Sequence, residues 1–265
     1  MRKVIGILAI AALAACSPQT DESDTSNTGA EAPSAILQAA VADTTRPEQD
    51  RVRDATRHPA EILTFAGIQP GATTLDIGSG GGYYTRILSS AVGDEGMVYA
   101  HNFQWVVDRF PNADTSLTAI AGERANVEYY VAPVDRLASG TSTPVDAAFM
   151  VLGYHDTVWQ QDDIQALSRE DRITMNRAVF EVLRPGGALI VIDHRAEDGS
   201  GDRDVDAYHR IDEAMVRDEI EAAGFVLEST SDLLANPSDP RNVSVFDPSI
   251  RGSTDRFVHL YRRPG

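Results

Sequence analysis

Three short segments in the C-terminal half of the chain combine histidine with carboxylate, tyrosine or arginine side chains. A histidine titrates near neutral pH and accepts protons efficiently when a neighbouring carboxylate orients its ring. In the segment LGYHD, His155 is preceded by Tyr154 and followed by Asp156, which predicts a catalytic group with His155 as general base and Asp156 orienting it. The other two segments supply the candidate substrate-binding residues, which are Asp193, His194, His209 and Arg210.

The same nitrogen and oxygen atoms could instead hold a divalent metal ion. His155, Asp156, Asp193, His194 and His209 are ligand types that zinc and related metals use. The chain contains no His-x-x-x-His spacing, so the sequence assigns no metal ligand and leaves metal-dependent chemistry as an alternative.

A second chemical feature lies in the segment LDIGSGGGYYTRIL, residues 75–88, where an apolar run leads into four glycines and then into a helical pattern. Glycines at a strand-to-helix turn let the backbone approach a ligand without an intervening side chain. Dinucleotide-binding turns have the spacing G-x-G-x-x-G, whereas Asp76, Gly78, Gly80 and Gly82 give D-x-G-x-G-x-G. The turn therefore predicts a cofactor site of another kind.

The composition excludes several kinds of chemistry. Cys16 is the only cysteine and Lys3 the only lysine, so residues beyond the N-terminal segment offer no thiol nucleophile, disulfide, Schiff-base lysine or P-loop lysine. The formal net charge of −17 gives a surface that repels nucleic acid and anionic lipid. We therefore expect a small-molecule substrate and no nucleic-acid partner.

The N-terminus resembles the signal of a bacterial lipoprotein. Arg2 and Lys3 precede an apolar run over residues 4–15 that is too short to span a bilayer. The run ends in Leu-Ala-Ala before Cys16, the place where such signals are cut and the cysteine is lipid-modified. We expect a signal peptide over residues 1–15 and a lipid on Cys16 as the membrane contact. The predicted location is the periplasmic side of the cell envelope, and Ser17 after the cysteine favours the outer membrane.

The chemical residues need a scaffold, and the hydrophobic pattern predicts one. Residues 16–45 are small and polar, which is typical of a disordered tether, with a short helix expected over 35–42. An N-terminal helix is predicted from residue 46 and ends before Pro70 and Gly71. Strands are predicted at 73–77, 96–100, 126–132, 145–152 and 188–193, with helices between them, most clearly over 169–183.

The C-terminal pattern differs from this alternation. A long helix over about 204–223 is followed by the strand FVLEST, a polar loop and the strand RFVHLYRR. Two late strands without an intervening helix predict an antiparallel pair at the sheet edge. The fold class is therefore α/β, a Rossmann-like doubly wound seven-stranded sheet, mostly parallel, in one domain over 46–265.

The glycine turn resembles motif I of the class I S-adenosylmethionine-dependent methyltransferases. The segment LRPGGALIVID, residues 183–193, resembles the helix-turn-strand that precedes their fifth strand, and the final antiparallel pair fits the same family. The stretches RPEQDRVRDATRHPAEIL, GSGGGYYT, LGYHD, HRIDE and STDRF are similar to a group of exported predicted methyltransferases. The resemblance extends from about residue 46 to the end of the chain.

The resemblance implies S-adenosylmethionine as the cofactor and assigns residues to it. Around the turn, these are Asp76, Gly78, Gly80, Gly82 and Tyr83, which would hold the amino-acid end and the ribose. The family usually places a carboxylate at the end of the second strand, where this chain has His101 and Asn102. Asp135 lies where the family often contacts the adenine amino group.

Methyl transfer requires in-line positioning of an acceptor and a base for its proton. The sequence therefore predicts methyl transfer to a small molecule at the cell envelope. Two alternatives on the same fold stay open: a ligand-binding module without cofactor affinity, and a metal-dependent enzyme.

Overall fold

The computed structural model describes Met1, residues 32–160 and residues 165–265. The predicted signal peptide, the lipidation site Cys16 and most of the predicted tether lie outside the described residues. All elements of the fold belong to the compact unit Glu31–Gly265.

A seven-stranded sheet forms the centre of the fold. Its strands are β1 Thr73–Ile77, β2 Met97–Asn102, β3 Val127–Val131, β4 Val145–Val151, β5 Leu183–His194, β6 Val226–Ser231 and β7 Arg256–Arg262. Their order across the sheet is β3-β2-β1-β4-β5-β7-β6. Strands β1 to β5 run parallel, and β7 is antiparallel to both β5 and β6. The predicted sheet and its antiparallel edge pair are confirmed.

Helices pack on both faces of this sheet. They are α1 Ala35–Ala42, α2 Glu48–Arg51, α3 Asp54–Arg57, α4 Pro59–Phe65, α5 Tyr83–Val92, α6 Gln104–Arg109, α7 Pro111–Glu123, α8 Arg169–Val182, α9 Val205–Tyr208 and α10 Glu213–Ala222. Alternate residues of β5 enter two separate apolar clusters, Leu189 and Val191 on one face, Ile190 and Ile192 on the other. In the described part of the chain, no helix is both long and apolar enough to cross a membrane.

The predicted single N-terminal helix is wrong, because the chain forms three short helices, α2, α3 and α4. His58 separates the last two and has a left-handed backbone, with φ 44°. Pro59 follows it and disfavours the right-handed helical conformation for the residue before it. This bend turns α3 back over the sheet's carboxyl edge.

The packed domain also begins earlier than the predicted boundary at residue 46. Helix α1, expected over 35–42, is present, and Leu37 and Ala40 are buried in the cluster that also contains Ile62 and Ile87. Burial of its apolar side joins this part of the predicted tether to the domain.

The predicted long helix over 204–223 is interrupted as well. His209 ends α9 with a left-handed backbone, φ 53°. Ile211 then forms a β-bridge with Arg195, and Asp212 starts α10 by accepting a hydrogen bond from the Ala214 N–H at 2.9 Å. Because of this interruption, His209 lies at the end of the sheet beside His155. A continuous helix would not place His209 there.

Candidate active site

Three glycines after β1 leave an open face at the carboxyl end of the sheet. Gly78, Gly80 and Gly82 have φ angles of 63°, 55° and 83°, in the region that residues with a side chain adopt only at a cost. A Cβ built on Gly80 has no heavy atom within 4 Å, and one built on Gly78 meets Phe103 Cε2 at 3.8 Å. The backbone at Gly78 and Gly80 is therefore accessible to a ligand.

Strand β2 holds this turn in place. Ser79 Oγ donates a hydrogen bond to the Asp76 backbone oxygen at 2.8 Å, and the Ser79 N–H donates to the His101 oxygen at 2.9 Å. Asn102 accepts from the Gly80 N–H at 2.9 Å and donates to the Gly80 oxygen at 3.1 Å. The turn is thus fixed before any ligand arrives.

His101 and Asn102 do not have the predicted role of ribose ligands. Both are fully buried inside β2, and the Asn102 amide is used on Gly80. His101 Nε2 contacts the Ala132 oxygen at 2.9 Å, and burial lowers the pKa of His101 to about 4. His101 Nδ1 is buried without a hydrogen-bond partner among the described residues. These side chains therefore support the glycine turn and the end of β3 and do not contact a ribose diol directly.

Asp76 and Tyr83, also predicted to bind the cofactor, have protein partners. Asp76 Oδ2 accepts from Thr85 Oγ1 at 2.6 Å, and burial raises the pKa of Asp76 to about 6. Tyr83 donates its hydroxyl to Asp54 Oδ1 at 2.7 Å. Three guanidinium groups lie over the Tyr83 ring, those of Arg46, Arg53 and Arg57. Asp76 therefore joins β1 to α5, and Tyr83 joins α5 to the N-terminal helices.

A small apolar cavity of about 200 Å³ lies beside the turn, beyond the ends of β2, β3 and β4. Phe103, Trp105, Val134 and Thr157 are among its lining residues. Asp135, predicted to contact adenine, is exposed in the 3-10 turn Val134–Gly140 and does not line this cavity. Its neighbour Val134 lines the cavity instead.

A larger cavity of about 650 Å³ opens beyond the ends of β4 and β5. His155, Asp156, His194 and His209 all line it, so the structure brings four of the predicted residues together. The ring centroid of His155 lies 5.7 Å from that of His194 and 5.5 Å from that of His209. This cavity is the candidate acceptor site.

His155 is held between two carboxylates. Its Nδ1 contacts Asp193 Oδ1 at 2.7 Å, its backbone N–H donates to Asp193 Oδ2 at 2.9 Å, and its Nε2 lies 3.2 Å from Asp156 Oδ1. Burial opposes the charged ring, but Asp193 and Asp156 outweigh it and raise the pKa of His155 well above its usual value. Both contacts favour the protonated ring, which opposes the predicted role of His155 as general base, and Asp193 at Nδ1 orients the ring.

His194 has the opposite electrostatic environment. Its Nδ1 lies 2.7 Å from Thr254 Oγ1. Burial and the positive charges of His155, Arg256, Arg210 and Arg57 lower the pKa of His194 well below its usual value. These surroundings favour the neutral ring, and in the tautomer that donates Nδ1–H to Thr254, Nε2 is the proton-accepting atom.

Three predicted site residues belong to the interior instead. Asp193 is fully buried and accepts from the N–H groups of His155 and His194, so it positions these residues and does not bind substrate. Tyr154 is fully buried and donates its hydroxyl to Glu219 at 2.9 Å, away from the cavity. Arg210 is fully buried in an ion pair with Asp239 at 2.9 Å.

The cavity also contains residues that the sequence reasoning did not assign to it. Trp159 and Phe246 pack against His209, with ring-centroid distances of 5.1 and 4.9 Å. Arg57 and Arg256 enter from α3 and the start of β7. Arg57 belongs to the predicted N-terminal helical segment, but no local signal indicated Arg256.

Comparison with known proteins finds a family model and solved structures that this chain resembles. Residues 41–109, which contain the glycine turn and β2, match the family model for protein-L-isoaspartate(D-aspartate) O-methyltransferase (PCMT). A crystal structure of an S-adenosylmethionine-dependent methyltransferase from Aquifex aeolicus is 20% identical over 84% of this chain and 97% of that chain, with a TM-score of 0.54. The arsenic(III) S-adenosylmethionine methyltransferase from Chlamydomonas reinhardtii is 15% identical over 88% and 75%, with a TM-score of 0.53. Among curated protein sequences, none matches the chain.

The chain has the fold of the class I S-adenosylmethionine-dependent methyltransferases. The family match over the glycine turn, together with this fold, indicates a methyltransferase that uses S-adenosylmethionine.

The residues present fit that cofactor. The methyltransferase fold places its cradle at the open backbone of Gly78 and Gly80, where no side chain fills the space next to Gly80. The apolar cavity beside Phe103 and Val134 offers flat, dry walls to an aromatic base. The cofactor cradle and the acceptor cavity are adjacent, because Trp105 and Asp156 line both cavities.

Proposed function

We propose that this methyltransferase transfers a methyl group to an oxygen atom of a small molecule bound in the 650 Å³ cavity, on the periplasmic side of the cell envelope. The observation that carries the proposal is the open glycine turn beside a cavity that contains a neutral histidine, His194. The match to an O-methyltransferase family supports oxygen as the accepting atom.

The chain's own residues have separate tasks in this reaction. S-adenosylmethionine, when bound, supplies an electrophilic methyl group. Gly78 and Gly80 would let the backbone approach it, and Trp159 and Phe246 give the acceptor cavity aromatic walls. The cofactor would supply its methyl group to the acceptor oxygen, and His194 Nε2 would take the proton that the acceptor loses.

The imidazolium of His155 supports this transfer by electrostatics. Asp193 fixes its ring, and its positive charge is one reason why the pKa of His194 is low. His155 therefore acts as a fixed cation, and His194 is the group that moves a proton.

Calorimetric titration with S-adenosylhomocysteine and S-adenosylmethionine tests the cofactor part of the proposal. The purified full chain is expected to bind both with micromolar affinity. A folded protein that binds neither would contradict the methyltransferase function. Transfer is then measured with methyl-labelled cofactor and a periplasmic small-molecule fraction, where wild-type protein should label a product and His194→Gln should not.

The envelope location rests on the N-terminal sequence. Arg2, Lys3, the apolar run over residues 4–15 and Cys16 support export and lipid attachment. A Cys16→Ala variant should appear in the soluble periplasmic fraction and incorporate no labelled fatty acid, while wild-type protein is found in the membrane fraction. Equal membrane recovery of both proteins would contradict lipid anchoring.

A metal-dependent enzyme is the second candidate. His155, Asp156 and His209 each offer one ligand atom, and these atoms lie within 4.8 Å of one another, while Asp193 binds the other ring nitrogen of His155 as in many metal sites. Arg57 and Arg256 in the same cavity disfavour a divalent cation. Equilibration with Zn²⁺ or Mn²⁺, followed by desalting and elemental analysis, tests for a metal site. Metal that is retained at one ion per chain in the wild-type protein and lost in His209→Ala would establish it.

A further inference from the structure

The charge of the acceptor cavity is opposite to that of the chain. The protein has a formal net charge of −17, yet the arginines that line this cavity are Arg53, Arg57, Arg109, Arg251 and Arg256. Asp156 is the one carboxylate among the described lining residues, and it already faces His155. The cavity is therefore a local cationic site in an acidic protein.

Within the described part of the chain, Arg57, Arg251 and Arg256 form no ion pair with a carboxylate, and of these only Arg57 and Arg256 are not exposed. Arg256 is buried and donates to neutral acceptors, the backbone oxygens of Thr56 at 3.1 Å and Gly252 at 2.6 Å and the hydroxyl of Thr254 at 3.3 Å. Arg57 lies 4.6 Å from the ring centroid of Tyr83 and forms no ion pair there. Burial lowers the pKa of both guanidinium groups, and their mutual repulsion adds to this for Arg256.

Buried cations without counter-charges are costly, and an anionic ligand would remove that cost. Arginine is also the side chain that best matches the two oxygens of a carboxylate or phosphate. Both arginines line the cavity together with His194, and Arg256 donates to the backbone oxygen of Thr56, the residue before Arg57. An anion bound between them would therefore lie next to the proposed base.

The position of Arg256 separates this site from the cofactor cradle. Arg256 begins β7 and pairs with His194 at the end of β5. The glycine turn follows β1, which is three strands away in the order β1-β4-β5-β7, or roughly 14 Å at the usual strand spacing. Arg256 thus belongs to the acceptor side of the cleft.

We infer that the acceptor carries a carboxylate or phosphate group and that Arg57 and Arg256 bind this group next to His194. The identification of the bound anion as the methyl acceptor rests on the proposed methyltransferase function, whereas the anion site itself is a property of the cavity. It narrows the substrate class to small anions that fit the cavity volume.

Calorimetric titrations of the full chain with inorganic phosphate and with succinate, at constant ionic strength, test this site. Binding of at least one anion is expected, and the stronger of the two identifies the group that the site prefers. Arg57→Gln and Arg256→Gln should each weaken that binding at least tenfold. Arg177→Gln is the matched control, because Arg177 is exposed on α8 and loses the same charge without lining the cavity.

Three results would overturn the inference. The first is no binding of either anion to the folded wild-type protein, and the second is an anion affinity unchanged in both cavity variants. The third is a tenfold loss of S-adenosylhomocysteine affinity in Arg256→Gln, which would assign the arginine to the cofactor. If circular dichroism shows that Arg256→Gln is unfolded, Arg57→Gln alone tests the site, because Arg57 makes no side-chain hydrogen bond to the described residues.

The same titrations distinguish this inference from the proposed function. Anion binding that depends on both arginines, in a protein that does not bind S-adenosylhomocysteine, would support the anion site and contradict the methyltransferase. Cofactor binding, together with anion binding that neither arginine variant weakens, would support the methyltransferase and contradict the anion site.

Discussion

Replacing Gly80 by alanine should separate cofactor binding from folding. Gly80 has φ 55°, and a Cβ there would have no heavy atom within 4 Å. The variant therefore suffers the left-handed backbone penalty alone, and its free energy of unfolding should fall by about 1–2 kcal/mol. The added methyl group enters the space that the cofactor must occupy, so we expect S-adenosylhomocysteine to bind at least about tenfold more weakly, or about 1.4 kcal/mol.

Two other glycines provide matched comparisons. Gly71 has φ 81° and no heavy atom within 4 Å of a built Cβ, but it precedes β1, whereas the cradle follows it. Gly71→Ala should lose a similar stability and keep full cofactor affinity. At Gly82, φ 83°, a Cβ would overlap Ile120 Cδ1 and lie 3.1 Å from Leu117 Cδ2. Overpacking adds about 1–3 kcal/mol, so Gly82→Ala should be the least stable of the three.

Urea unfolding gives the three free energies, and calorimetry with S-adenosylhomocysteine gives the three affinities. Equal cofactor affinity in Gly80→Ala and Gly71→Ala would refute the assignment of the space beside Gly80 to the cofactor. Equal stability of Gly82→Ala and Gly71→Ala would refute the packing argument, because these variants share the backbone penalty and differ in the contacts of the new methyl group.

Three further predictions concern structure outside the cradle. Tyr154→Phe removes the hydroxyl between Glu219 and Asn176 and should cost about 1–3 kcal/mol of stability without changing cofactor affinity; a loss of affinity would return Tyr154 to the site. Ser168→Ala removes the capping box of α8 and should cost about 1 kcal/mol in urea unfolding, whereas no change would contradict the cap. The folded pKa of His155 is raised above its ordinary 6.5, so the stability from its charge is complete below about pH 6.5 and is lost as pH rises through the folded pKa. Urea unfolding across alkaline pH should show this decline in wild-type protein but not in His155→Gln, and an NMR titration with ring protons that titrate near 6.5 would contradict it.

The sheet could be predicted from sequence because its signals are local. Apolar runs bounded by turn residues gave β1 and β4 nearly residue by residue, and the final pair of strands followed from the absence of a helix between them. The proximity of His155 and His194 was also predictable, because the carboxyl ends of neighbouring parallel strands meet at one edge, whereas His209 joins them through the unpredicted break after α9.

The roles of individual side chains could not be predicted, because they depend on distant partners. Tyr154 points into the core because Glu219 and Asn176 are there to bind its hydroxyl, and Arg210 does so because of Asp239. The choice between His155 and His194 as base depends on which ring has carboxylate neighbours. None of these contacts has a signature in the adjacent sequence.

Net charge was the least informative of the sequence signals for the site. A composition dominated by acids correctly disfavours polyanions, which would have to approach across the acidic surface. Inside the cavity, however, Arg256 is buried and Arg57 is half-buried, so salt screens their field less than it screens fully exposed charges. A small anion that leaves bulk solvent and enters the cavity is attracted, whereas nucleic acid, which cannot enter, is repelled. The acidic surface and the cationic cavity together therefore select small anionic acceptors by size as well as by charge.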